Sequence, residues 1–223
     1  MGDGFQFIDI ILLAMIAGFI VLRLRNVLGR RTGFEQRRPP APPGAPAEPA
    51  EDNVLPLPDR RKLEQAQKML SSGPAADGLS RIKQADAHFD PVDFIAGAKS
   101  AYEMIVGAFA HGDTSALKPL LSPDVFQSFA GAIAERNAAD QTLTSTIIAI
   151  KSADIVEADI KGRVAEVTVK FVSDLINATH DATGKLISGS TTVPEEVTDI
   201  WTFARDLRSS DPNWTLVATS APA

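Results

Sequence analysis

Few side chains in this sequence are suited to acid, base or nucleophilic chemistry. The chain has no cysteine and three scattered histidines, His88, His111 and His180. A redox pair and a cysteine nucleophile are therefore excluded, and a zinc centre is not expected. The candidates for proton transfer are the single tyrosine, Tyr102, and Asp199, which shares a predicted strand face with apolar residues.

Both candidates have an ordinary structural interpretation as well. Tyr102 falls on the apolar face of a predicted helix, where a tyrosine is typically a core residue with a satisfied hydroxyl. For Asp199, a salt bridge at the strand end to Arg205 or Arg208 is the expected arrangement. Because the sequence contains no nucleophile elbow, phosphate-binding glycine loop or metal-spaced carboxylate cluster, we expect no enzyme activity, catalytic residue, cofactor or metal.

An amphipathic helix over about residues 91–110 must position the tyrosine, since apolar residues recur there at intervals of three and four. A short second helix carries Leu117 and Leu120. A third begins at Ser122 and Pro123, which are suited to the cap and first position of a helix.

After Asp140 the hydrophobic period changes from 3.6 to 2, which predicts strands. The expected strands lie at about residues 144–160, 164–176, 195–206 and 214–220. Helices followed by antiparallel strands indicate an α+β class with helices on one face of the sheet. Aromatic residues on these elements are candidates for lining a pocket, although such residues more often form core: Phe94, Tyr102, Phe126, Phe129, Phe171, Trp201 and Phe203.

Residues 5–24 form an apolar run whose length suits a single membrane-spanning helix of about 20 residues. A secretory signal peptide is the alternative, but it requires a positive segment before the run and small residues at a cleavage site after it. Here the acidic residues Asp3 and Asp9 come first. The residues expected to form the anchor are Phe7, Ile11, Leu12, Ile16, Phe19 and Leu22.

An arginine-rich segment follows the apolar run and predicts its orientation. Positive residues favour the cytoplasmic side, so the N-terminus is expected outside and the rest of the chain in the cytoplasm, at a bacterial inner membrane. The residues expected to set this topology or to contact lipid headgroups are Arg23, Arg25, Arg30 and Arg31.

The remaining organisation follows from composition. We expect an anchor with its basic segment at residues 1–27, a proline-rich tether at 28–58, a helical extension at 59–88 and a folded domain at 89–223. The extension includes a helix that either lies on an anionic membrane surface or packs back on the domain. From Glu64 onward 13 basic residues face 21 acidic ones, and the whole chain has a net charge of −6, so nucleic acid is not an expected partner.

Three stretches resemble a known family: FDPVDFIAGAKSAYEMIVGAFAHGDTSALKPLLSPDVFQSF, ADIVEADIKGRVAEVTVKFVSDLINATHD and EVTDIWTFARDLRSSDPNWTLVATSA. They are similar to the C-terminal domain of translocase of the inner mitochondrial membrane subunit 44, and more so to its alphaproteobacterial relatives, called TimA. Those relatives also begin with an apolar helix and a segment like LRLRNVLGRRTG. The resemblance implies a nuclear transport factor 2-like cone, in which three helices pack on a bent antiparallel sheet around an apolar pocket.

The resemblance also implies a function. The mitochondrial members tether a heat-shock chaperone to a protein-conducting channel and contact cardiolipin, whereas the bacterial relatives are considered adaptors. The implied partners here are anionic lipid, including cardiolipin, and a protein such as a DnaK-type chaperone or the translocation machinery. This sequence lacks the long charged chaperone-binding region of the mitochondrial members. The alternatives are an enzyme that uses the cone pocket and a carrier of lipid or another apolar ligand.

Overall fold

The computed structural model describes residues 60–221. Helices occupy the first half of this span, with these bounds: α1 Arg60–Ser71, α2 Ala76–Ala85, α3 Pro91–His111, α4 Thr114–Leu117 and α5 Pro123–Ala138. The predicted anchor and proline-rich tether lie outside the described residues. Within residues 60–221, no helix is both long and apolar enough to span a bilayer.

Local sequence signals set the ends of the longest helix, α3. The Asp90 carboxylate accepts hydrogen bonds from the backbone N–H groups of Val92 and Asp93, and Pro91 occupies the first helical position. Gly112 ends the helix with a φ of 71°, a left-handed conformation that glycine adopts without steric cost. The predicted helix over about residues 91–110 is therefore confirmed.

The second half of the described chain forms one antiparallel sheet. Its strands are β1 Thr142–Lys161, β2 Val164–His180, β3 Leu186–Gly189, β4 Glu195–Asp206 and β5 Thr215–Ser220. They pair in the order β1-β2-β4-β5, and β3 pairs with the end of β2. The α+β class and the four predicted strands are confirmed. The short strand β3 was not predicted, because its four residues are all exposed and carry no alternation between buried and exposed positions.

Strand β1 is irregular in a way that its sequence does not reveal. Its pairing with β2 shifts register between Ile147 and Ala149, between Ile150 and Ser152, and again between Ile155 and Glu157. Each shift inserts one unpaired residue in β1, and such bulges bend a strand and increase its twist. The first two bulges lie close together in the half of β1 that follows Thr142.

The core lies between the sheet and the helices. One face of α3 buries Phe94, Ala98, Tyr102 and Ile105 against the sheet. From β2, alternate residues face this layer and are fully buried: Ala165, Val167, Val169, Phe171 and Ser173. The period-2 alternation therefore decides which face of β2 the helices cover.

The core begins earlier in the chain than residue 89. Leu79 and Ile82 of α2 are buried in the same cluster as α3 and the sheet. Helix α2 approaches β1 so closely that a Cβ atom added to Gly78 would lie 1.8 Å from the carbonyl oxygen of Ala158. The segment 76–85, which the sequence placed in an extension, thus contributes to the domain core.

Of the two alternatives for α1, packing against the domain is the observed one. Ala66 is buried, and Met69 and Leu70 contact the core. Lys62 forms an ion pair with Asp93 of α3 at 2.7 Å. The domain therefore covers Ala66, Met69 and Leu70 of the apolar face, whereas Leu63 on the same helix remains 52% exposed.

The contact between α2 and β1 predicts the effect of a single methyl group. Gly78→Ala should lower the free energy of unfolding by about 1–3 kcal/mol, because the new Cβ forces the helix away from the strand. Urea denaturation measures this change. The matched control is Gly97→Ala on α3, where nothing lies within 4 Å of an added Cβ. A Gly78→Ala protein as stable as the wild type would contradict the close contact.

The contribution of α2 to the core predicts where the domain can be truncated. A chain that starts at residue 75 should unfold cooperatively, followed by the fluorescence of Trp201 and Trp214. A chain that starts at residue 89 loses Leu79 and Ile82, and burial of each such side chain is worth about 2–5 kcal/mol. Equal denaturation midpoints for the two chains would show that α2 is dispensable.

Candidate functional site

The strongest polar feature inside the domain is centred on the hydroxyl of Tyr102. This side chain is fully buried, and its ring stacks on Phe171 with the ring centres 4.6 Å apart. Trp201 contacts the same ring at 4.7 Å. Helix α3 therefore places its tyrosine against one aromatic residue of β2 and one of β4.

Two side chains of the sheet satisfy this hydroxyl. Tyr102 donates a hydrogen bond to Oδ2 of Asp199 at 2.7 Å, and its oxygen lies 2.9 Å from Oγ of Ser173, which is itself fully buried. Asp199 pairs in register with Phe171, so the three polar groups share the covered face of the sheet. The expectation that Tyr102 is a core residue with a satisfied hydroxyl is confirmed.

The environment of this cluster shifts the proton affinity of both acids. Burial raises the pKa of the Asp199 carboxyl, although the hydrogen bond from Tyr102 acts in the opposite direction. Burial also raises the pKa of Tyr102, and the negative charge of Asp199 adds to that effect. Among residues 60–221 no cation forms an ion pair with Asp199. The cluster consequently favours its protonated form more than an exposed carboxyl would.

The expected salt bridge of Asp199 to Arg205 or Arg208 is wrong, because Asp199 accepts a hydrogen bond from Tyr102 and pairs with neither arginine within residues 60–221. Arg205 instead pairs with Asp86, which lies just after α2 and is similarly shielded from solvent. The guanidinium group of Arg205 lies 5.2 Å from the ring centre of Trp214. Its Nε atom is buried without a hydrogen-bond partner among the described atoms. Sequence spacing could not find Asp86, because it lies 119 positions away along the chain.

The predicted pocket residues are distributed over two regions. Five of them contact one another in a continuous aromatic layer: Phe94, Tyr102, Phe171, Trp201 and Phe203. Phe129 packs on Phe109 of α3 at 5.2 Å, and Phe126 is partly buried on α5. The first group fills the space between helices and sheet, and its role in binding a ligand stays a prediction.

An open groove lies beside the polar cluster and was not predicted. It has a volume of about 480 Å³ and is bounded by Glu103, Val106 and Gly107 of α3 and by residues 145–150 of β1. Ile150, which lines it, pairs with Ser173 in the sheet. The sequence signal for this groove was the aliphatic character of the first half of β1, whose exposure only the structure shows.

The described residues contain no arrangement of side chains typical of a metal or redox centre. Nowhere in residues 60–221 do three or more histidine or carboxylate side chains lie close enough to hold a metal ion. The Tyr102, Ser173 and Asp199 cluster could exchange a proton, but two of its three members have no exposed surface. The predicted anchor residues and the four arginines that follow them lie outside the described part of the chain.

Comparison with known proteins identifies the domain. A family model described as the Tim44-like domain matches residues 75–221, about two thirds of the chain. An uncharacterized protein of Rickettsia prowazekii (strain Madrid E) is 26% identical over 136 residues. That match covers 56% of this chain and 64% of the relative, so the chain spans somewhat less than two thirds of that protein.

The solved structures that the chain matches are more distant in sequence. The intermembrane space region of the chloroplast protein ARC6 is 12% identical with a TM-score of 0.42, and the match covers 56% of this chain and 94% of that one. A protein of the NTF2-like family from Streptomyces avermitilis is 15% identical with a TM-score of 0.34, covering 58% and 94%.

The raised pKa of Asp199 predicts how stability depends on pH. Below the ordinary value of 3.8 the proton is bound in both the folded and unfolded states. As pH rises through the raised folded value, the unfolded chain has already ionised, so this carboxyl makes folding less favourable. Asp199→Asn removes the effect. Relative to this variant, the wild type should therefore lose stability as pH rises above 3.8, the ordinary pKa of this carboxyl, as measured by thermal unfolding.

Comparing the wild type with Asp199→Asn cancels the contributions to stability of other carboxyls. Among these are groups whose pKa values are lowered, such as Asp86, Asp113 and Asp181. Those groups act in the opposite direction, but both proteins contain them. A stability difference that stays constant across this pH range would show that Asp199 titrates normally.

Proposed function

The chain belongs to the family of proteins with a Tim44-like domain, and on that basis we propose that it is a membrane-anchored adaptor. In this proposal its domain holds a protein partner at the cytoplasmic face of a bacterial inner membrane. Holding a partner near the bilayer raises the effective concentration of that partner without any chemical step.

One combination of features carries the proposal. The Tim44-like domain shares a chain with the apolar run at residues 5–24, the arginine-rich segment and the proline-rich segment that precede it. An apolar run of this length favours a membrane span, and the arginines favour a cytoplasmic domain. A domain, a spacer and an anchor in this order are the parts that an adaptor needs.

The proposed partners follow from the family. We propose a DnaK-type chaperone or a component of the translocation machinery as the protein partner, and an anionic lipid such as cardiolipin as the lipid contact. The arginine-rich segment supports the lipid contact, because clustered arginines next to a membrane span attract anionic headgroups. The acidic character of the chain from Glu64 onward favours a partner surface that carries basic residues.

We also propose that the protein is not an enzyme. A substrate would have to reach the Tyr102 hydroxyl and Ser173, and both are fully buried. The aromatic residues that could form a pocket contact one another instead, with ring centres between 4.6 and 6.3 Å apart. If Asp199→Asn and Tyr102→Phe remained folded but abolished turnover of a small molecule, the enzyme alternative would replace the adaptor.

The orientation of the anchor is the most direct test. A reporter enzyme that is active only in the cytoplasm, fused after Ala223, should be active, and one active only in the periplasm should be silent. Replacing Arg23, Arg25, Arg30 and Arg31 together with glutamate should scramble or invert this pattern, because the positive charges set the orientation.

The matched control keeps the positive charge and replaces the same four arginines with lysine, which should preserve the orientation. Membrane fractionation then shows whether the chain is retained by the bilayer. A chain that remains in the soluble fraction, or a reporter active only in the periplasm, would contradict the proposed anchored adaptor.

A further inference from the structure

The groove between α3 and β1 has the architecture of a strand-binding site. Six consecutive residues of β1, Ser145 to Ile150, line it together with Glu103, Val106 and Gly107. Consecutive residues of a strand point to alternate faces, so a groove that touches all six runs along the edge of the strand. A pocket on one face of the sheet would contact every second residue instead.

This edge of β1 is unpaired in the described part of the chain. Within residues 60–221, β1 pairs with β2 alone, and the sheet order places it at one side. An edge strand presents backbone N–H and C=O groups that can pair with an added strand. Helix α2 covers the far end of β1 at Ala158, whereas the groove lies at the near end.

The side chains of the groove favour an apolar guest. Ile148 occupies the first bulge, where it has no partner in β2, and 53% of its surface is exposed. Val106 and Ile150 line the same groove. A guest strand with apolar side chains would remove this aliphatic surface from water, which stabilises the complex.

The charge of the groove favours a bound segment that carries a basic residue. Glu103 is the charged residue among those that line the groove, it is exposed, and no cation in residues 60–221 forms an ion pair with it. The nearest cation along β1, Lys151, is held by Asp174 at 2.7 Å and Glu196 at 2.9 Å. A lysine or arginine in the guest would therefore be favoured, and an acidic residue would be repelled.

We propose that the groove between α3 and β1 binds an extended segment of a partner protein, which adds a strand to the edge of β1. The segment carries apolar side chains at alternate positions and a lysine or arginine opposite Glu103. The bulges at residues 148 and 151 twist the edge, so pairing is restricted to a short stretch of the guest. This inference rests on the proposed adaptor function, for which it names the docking surface and the chemistry of the partner.

The test uses the full chain in detergent micelles and a fluorescent synthetic octapeptide. In the peptide, valine alternates with threonine and one central position is lysine. A second peptide has glutamate in place of the lysine, and a third has N-methyl groups on alternate amides, which prevent strand pairing. Fluorescence anisotropy should show binding of the lysine peptide that is about 10-fold tighter than that of either other peptide, a difference of about 1.4 kcal/mol.

Two variants of the chain locate the binding. Gly107→Phe should weaken binding of the lysine peptide at least about 10-fold, because its ring fills the groove. An added Cβ at Gly107 meets nothing within 4 Å, so the variant should fold normally. The matched control is Gly97→Phe, on the same helix and equally open, but absent from the groove lining. It should bind the peptide as the wild type does.

Glu103→Lys provides a second, independent variant, which should prefer the glutamate peptide. Equal binding of the peptide by Gly107→Phe and the wild type would overturn the inference, as would equal binding of the N-methylated peptide. Sedimentation tests another occupant: if the wild type is a dimer and Gly107→Phe is a monomer, the groove joins two copies of this chain and the inference is wrong.

Membrane retention and crosslinking distinguish a failure of the proposed groove from a failure of the proposed adaptor function. If Gly107→Phe stays in the membrane and still crosslinks to the same partner as the wild type, the groove is not the docking surface but the adaptor function stands. If the wild-type chain is not retained by membranes, the adaptor proposal fails whatever the peptides show.

Discussion

The domain depends on one constraint, which is that the hydroxyl of Tyr102 must be satisfied where water cannot reach it. An unpaired buried hydroxyl costs about 1–3 kcal/mol, so the tyrosine tolerates burial only where the sheet supplies polar partners. Ser173 and Asp199 supply them from adjacent strands. This requirement constrains where α3 lies on the sheet, because Tyr102 must reach both partners. It also favours the strand register in which Phe171 lies opposite Asp199.

A second polar contact complements the first. The ion pair of Asp86 with Arg205 joins the end of α2 to β4, and Arg205 lies over the ring of Trp214. Together the two contacts connect α2 and α3 to the same strand through directional bonds. Removing one partner of either contact leaves a shielded polar group without compensation, so we expect both contacts to specify the packing as well as to stabilise it.

The interior of the domain and the edge of its sheet differ in how much surface they leave open to a partner. The interior between α3 and the sheet is filled by aromatic rings that contact one another, and its polar groups bond to each other. The groove beside the first half of β1, by contrast, has a strand edge that is unpaired in the described region, the exposed side chain of Ile148, and the carboxylate of Glu103 from α3, which forms no ion pair within residues 60–221. A filled interior and an open strand edge suit a domain whose proposed task is to hold another polypeptide.

Sequence alone determined the α+β class, the bounds of α3 and the alternation that buries one face of β2, because these follow from local periodicity and from caps such as Asp90 and Gly112. It also indicated the family, through residues spread over the whole domain. Only the tertiary structure decided that Asp199 bonds to Tyr102 while Arg205 bonds to Asp86. Such partners lie about a hundred positions apart, and which carboxylate meets which donor depends on strand register, bulges and helix placement, none of which a local pattern encodes.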